Sequence, residues 1–82
     1  MMTRDEILTQ IQGVLAEYFD IPPERVTPEA SLYGDLEIDS IDAVDLIDRI
    51  RRIIDKKVSG EDFRAVRTVG DLISVVERLT AQ

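Results

Sequence analysis

The 82-residue sequence contains no cysteine, no histidine and no tryptophan, and its other aromatics amount to two tyrosines and two phenylalanines. Without cysteine there is no disulfide framework and no thiol chemistry of the chain's own, which suits a reducing cytoplasm. Without histidine the chain lacks the one side chain that ordinarily titrates near neutrality, and no glycine-rich phosphate loop or metal-ligand set takes its place. No apolar run approaches the roughly 20 residues of a membrane span, and the acidic, amphipathic N-terminus does not read as a signal peptide.

What is present is aliphatic and acidic. Apolar residues make up 44% of a chain that is almost free of aromatics, so its core is that of a small helical bundle. Eighty-two residues make one domain, 1–82, near the lower limit for a core that stands without metals or disulfides. The net charge is −7, unevenly spread: residues 1–48 carry twelve acids against two bases, and residues 49–82 five acids against eight bases. Such a field repels nucleic acid and anionic lipid and draws in partners with basic surfaces, although acids also serve plain solubility.

Taken in order, Thr3-Arg4-Asp5-Glu6 is a capping box that opens a helix to about Phe19. Ile7, Leu8, Ile11, Val14, Leu15, Tyr18 and Phe19 share one arc of it. The connection from Asp20 to Asp39 is broken by Pro22, Pro23 and Pro28, with Ile21, Val26, Leu32, Leu36 and Ile38 as anchors and one short helical turn expected at 27–30. A second helix follows Asp39 to Ile54, with Ala43, Val44, Leu46, Ile47, Ile50, Ile53 and Ile54 on its apolar face. Ser59-Gly60 marks a turn, Glu61-Asp62 starts a short helix through Phe63 and Val66, and Thr68 caps a last helix to about Leu79.

The stretch Gly34–Ile54 holds the one candidate for chemistry. Asp39 is the natural N-cap and Asp42 sits three residues later, so Ser40 falls at the first helical position. Free amides and the positive dipole end there suit a phosphate ester, which makes Ser40 a plausible attachment point for a phosphate-linked group; equally, it can be a mere capping serine. Ile41 falls among charged residues as an exposed aliphatic beside it. Aligning Asp35, Glu37 and Asp39 with a calcium-binding EF-hand loop puts Ser40 where glycine is required and Leu46 where the bidentate glutamate belongs, so no metal site is expected. Nor does Ser40 have a general base, so no residue is read as catalytic. Asp45–Arg49 and Asp48–Arg52 are favourable i,i+4 pairs, and Arg51 and Arg52 add a basic second half to the helix.

Asp35-Leu36, Asp39-Ser40-Ile41-Asp42 and the apolar helix with acidic outer positions resemble the prosthetic-group motif of acyl carrier proteins, and the resemblance runs without gaps over nearly the whole chain. It implies an all-α bundle of three main helices and one short helix, with a long loop joining the first two. It also implies 4'-phosphopantetheine on Ser40, installed from coenzyme A by a phosphopantetheinyl transferase that brings its own magnesium. Asp35, Asp39, Ile41, Asp42 and Asp45 would then be the surface read by acyl-transferring or condensing enzymes with basic docking patches. Arg49, Arg51 and Arg52, followed by Lys56 and Lys57, depart from the acidic helix of the family and imply an altered partner set in fatty-acid, lipid or polyketide-type synthesis. Phe63 stands where the family has a small residue beside its chain-sheltering pocket. The absence of glycine and histidine just before Ser40 separates the chain from peptidyl carriers. The chain is expected to be a freestanding cytoplasmic monomer that inserts into no membrane. The reading from another class is an unmodified acidic helical interaction module with Ser40 near a cap.

Overall fold

The computed structural model describes residues 2–81. Four α-helices account for most of them: α1 (Arg4–Phe19), α2 (Ser40–Ile54), α3 (Gly60–Arg64) and α4 (Val69–Thr80), with a single 3-10 turn at Pro23–Arg25. The expected bundle is therefore observed. α1 packs on both α4 and α2, and the short α3 packs on α4.

Each α-helix, long or short, starts where its first residues satisfy its own free amides. Thr3, Ser59 and Thr68 each accept from the third amide of their helix, and Glu6, Asp62 and Asp71 return the bond to the cap residue's N–H. Ser59 is thus a full capping box and not only a turn signal. Asp39 caps α2 alone, its Oδ1 accepting from Asp42 N at 2.8 Å. α1 and α2 end at Asp20 and Asp55, both left-handed, with φ of 57° and 53°.

These reciprocal bonds make the fold sensitive to acid. The backbone amide of Thr3 holds the Glu6 carboxyl below its ordinary value, the Ser59 hydroxyl does so for Asp62, and the Arg67 amide does so for Asp71. A carboxyl lowered in the folded state contributes stability above its unfolded pKa and loses it as pH falls through the folded value. Melting temperature should therefore fall progressively below about pH 4. Asp71→Asn should flatten that fall in a pH series of thermal melts.

The core is a continuous aliphatic cluster in which Ile7, Ile11 and Leu15 of α1 meet Leu46 of α2 and Val69, Leu72 and Val76 of α4. Among the described residues no polar or charged side chain is buried in it. Phe63 is buried as an ordinary core residue. All five expected loop anchors are buried as well, joined by Ala30. The loop is further pinned to the approach of α4: Ser31 bridges to Thr68, Leu32 N donates to Arg67 O, and Val69 N donates to Ala30 O. Gly70 N donates to Pro28 O at 2.8 Å, and a Cβ at Gly70 would stand 3.0 Å from that oxygen, so the approach depends on glycine. Gly13 is different, because a methyl there meets no atom within 4 Å. Gly13→Ala should stabilise the protein by about 0.5–1 kcal/mol, read as a rise of several degrees in melting temperature.

Three local expectations are corrected. The helical turn forms at Pro23–Arg25, where the two prolines preset φ, while 27–30 closes as a simple turn through Ala30 N to Thr27 O. Tyr18 belongs to the arc of α1 but is 48% exposed, because α1 is covered by α4 and α2 on one side only. Val44 and Ile53 lie on the apolar arc of α2 but are also exposed, since α2 packs chiefly on α1 while the short α3 packs on α4.

Candidate functional site

Ser40 is the first residue of α2, set by the loop that Leu36 and Ile38 anchor in the core. Between those anchors, Glu37 takes φ of 56°, and this left-handed residue reverses the chain just before the cap. Because Asp39 does the capping, the Ser40 hydroxyl is left over. The chain has four serines. Ser31 Oγ accepts from Gly34 N, Ser59 Oγ accepts from Asp62 N, and Ser74 Oγ donates to Gly70 O. Ser40 is exposed, and its hydroxyl has no hydrogen-bond partner among the described residues.

A groove of about 730 Å³ begins at Ser40 and runs along α2, with Val58, Ser59 and Gly60 before α3 as its opposite wall. Ile41, Val44 and Ile47 supply its apolar lining, and Ile41 and Val44 are 81% and 69% exposed. A free hydroxyl at a helix start, opening on a groove with aliphatic walls, fits a slender group joined through a phosphate.

The other expected site residues separate into three places. Ile41 and Asp45 line the groove with Ser40. Asp39 is occupied as the cap, and Asp42 faces a different hollow shared with Phe19, Asp20 and Glu37. Asp35 lies farther off: its carboxylate accepts from Ser31 N at 2.8 Å, and Arg25 donates to its backbone carbonyl.

The basic half of α2 also divides. Arg49 sits over Tyr18, with its guanidinium carbon 3.5 Å from the ring centroid. Its Nε stands 3.1 Å from Asp45 Oδ1 without hydrogen-bond alignment, so that contact is an ion pair only. Arg49 therefore fastens α2 to α1. Arg52 pairs with Asp48 at 3.0 Å while remaining largely exposed. Arg49→Glu should cost about 1 kcal/mol in a denaturant titration, from the lost cation–π and packing contacts, and Arg52→Glu less than half of that.

Residues that sequence reasoning did not assign to the site are Val44, Ile47 and Val58, while Arg51, read only as part of a basic surface for partners, proves to line the groove. The signal for those on α2 was the helical period counted from the serine itself: Ser40, Val44, Ile47 and Arg51 stand at i, i+4, i+7 and i+11 and share one stripe, whereas Val58 lies beyond the helix and had none.

The fold and this site together define a small helical domain with an unengaged serine hydroxyl at a helix start. Residues 9–76 match the family model described as the phosphopantetheine attachment site. The chain is 48% identical over 80 residues to Acyl carrier protein 2 of Ralstonia nicotianae, a match covering 98% of this chain and 99% of that one. It is 35% identical over 78 residues to an acyl carrier protein of Thermotoga maritima, covering 95% and 96% of the two chains. A solved structure of the acyl carrier protein from Enterococcus faecalis superposes with a TM-score of 0.77 at 27% identity, covering 95% of this chain and 99% of the other. The chain belongs to the acyl carrier protein family. Its prosthetic group is covalently attached 4'-phosphopantetheine, and its role is that of a carrier and not a catalyst. Among the described residues no helix is long and apolar enough to cross a membrane, and no acidic cluster is arranged to hold a metal ion.

Proposed function

We propose that Ser40 carries the phosphopantetheine arm, and that the chain acts as a single carrier domain presenting acyl thioesters to partner enzymes. The observation that carries this reading is the serine census: three hydroxyls are engaged in the fold, and that of Ser40 is not. Attachment balances as a phosphoryl transfer. The Ser40 oxygen bonds to the β-phosphorus of coenzyme A, the phosphoanhydride bond breaks, and 3',5'-adenosine bisphosphate leaves. The serine proton passes to a base of the transferase, since this chain places no base beside it. Once attached, the arm supplies the terminal thiol on which acyl groups are held as thioesters.

The chain's own contribution is positioning. Asp39 fixes the helix start, Ile41 offers a partner an apolar contact, and Asp45 offers a carboxylate on the same groove. Asp35 and Asp42 present their charges on adjoining faces, so an enzyme with a basic docking patch meets carboxylates from several directions. With Arg49 held on Tyr18, an altered choice of partner rests on Arg51 and Arg52. This favours specialised lipid or polyketide-type synthesis within the cytoplasm. The test is intact mass after incubation with coenzyme A, magnesium and a broad-specificity phosphopantetheinyl transferase, followed by peptide mapping. One added phosphopantetheinyl group on the peptide containing Ser40 is expected. A group on any other residue, or none while a control carrier is modified, would overturn the assignment.

A further inference from the structure

The groove beside Ser40 is not electrically neutral along its length. Three charged residues line it: Asp45, Asp48 and Arg51. Asp45 is paired with Arg49 and Asp48 with Arg52, so both carboxylates are already answered by arginines outside the groove lining. Arg51 is exposed and has no ion-pair partner among the described residues. The one uncompensated charge in the lining is therefore positive, on a helix half whose other arginines are occupied.

Its place along the helix is specific. Eleven residues separate Ser40 from Arg51, which puts the two about 20° apart around the axis and about 16 Å apart along it. Val44 and Ile47 lie between them on the same stripe, giving an apolar path from a hydroxyl at one end to a guanidinium at the other. A phosphopantetheine arm has about fourteen bonds from the serine oxygen to its sulfur and spans roughly 17 Å extended, at the per-bond reach of an extended backbone. Laid along this stripe, it brings its thioester level with Arg51. An anionic group two or three bonds beyond the thioester then falls within reach of the guanidinium, whereas the phosphate at Ser40 is too far away to meet it.

We propose that this groove selects short acyl groups that end in a carboxylate, with Arg51 as the residue that receives it. The inference rests on Ser40 as the attachment site and names the class of cargo. A neutral acyl group of equal length gains the same apolar wall but no partner for Arg51. A carboxylated one gains a charge-assisted contact that fixes the end of the arm.

The test loads the full chain through the transferase from malonyl-coenzyme A and, separately, from acetoacetyl-coenzyme A, whose acyl group is of similar size and neutral. Malonyl carrier should melt roughly 2–4 °C above acetoacetyl carrier at low salt, with the gap shrinking in 1 M salt. The Nε–H resonance of Arg51 should move with malonyl and not with acetoacetyl. Arg51→Gln should erase the gap, and Arg51→Lys should retain part of it; neither variant breaks an ion pair, so both fold. Equal melting of the two cargoes with an unmoved Arg51 signal overturns the inference, as does a gap that persists in Arg51→Gln. The mass of each sample separates this from the earlier reading. Correct loading on Ser40 without any effect of the carboxylate defeats only the cargo assignment, whereas failure to load Ser40 defeats both.

Discussion

Ser40→Ala should fold as the parent does and accept no phosphopantetheine at all. The two halves of this expectation have separate causes. The α2 start is held by Asp39 through its 2.8 Å bond to Asp42 N, and alanine at the first helical position is at least as good a helix former as serine. Its stability should therefore stay within about 0.5 kcal/mol of the parent. With Ser40 as the proposed attachment site, loading depends on a hydroxyl at that place, so the mass gain should vanish completely. Asp39→Ala reverses the pattern: it keeps the hydroxyl but removes the cap, at a cost of about 1 kcal/mol. Modification of Ser40→Ala at Ser31 or Ser59 would show that a serine engaged in the fold can serve after all.

The largest loss of stability should come from Leu46→Ala. Leu46 is 0% exposed, at the point where α2 meets the core under the site. Truncating such a leucine costs about 3–5 kcal/mol, the lost burial plus the cavity left behind. A domain of this size has about 4–12 kcal/mol in all, at roughly 0.05–0.15 per residue, so much of its stability goes with one side chain. Urea unfolding should show a large drop in midpoint. Val44→Ala, two residues earlier and facing the groove, should change it by less than about 0.5 kcal/mol because Val44 is mostly in solvent already. Equal losses at the two positions would mean that the groove closes over Val44 in solution.

Much of this was legible in the sequence because it is encoded locally. The Thr3, Asp39 and Thr68 caps are read from residues three apart, and each opens its helix as expected. The loop anchors from Ile21 to Ile38 are aliphatic residues among prolines and acids, with little else to do than enter the core. What failed to show was whatever depends on a neighbour's length or shape. A helical wheel puts Val44 with Leu46 but cannot know that α3 packs on α4 and leaves that side of α2 uncovered. It places Tyr18 on the apolar arc but not the guanidinium that comes to rest on its ring. For the site the same division holds. Ser40 and Ile41 could be named from their order, whereas Arg49 and Arg51 look alike in sequence and differ only in that one is tied to α1 and the other is not.

The pinning of the long loop has a consequence for how the carrier searches. Because the bridge from Ser31 to Thr68 and the bond from Gly70 to Pro28 fasten the loop to α4, Ser40 is a fixed point on a rigid body. With the arm attached there as proposed and swung out of the groove, the thioester explores only a sphere of roughly 17 Å radius about that point, which amounts to an effective concentration on the order of tens of millimolar for any active site inside it. A partner needs only to hold the small acidic body nearby for a moment, and the cargo arrives as if it were a concentrated reagent.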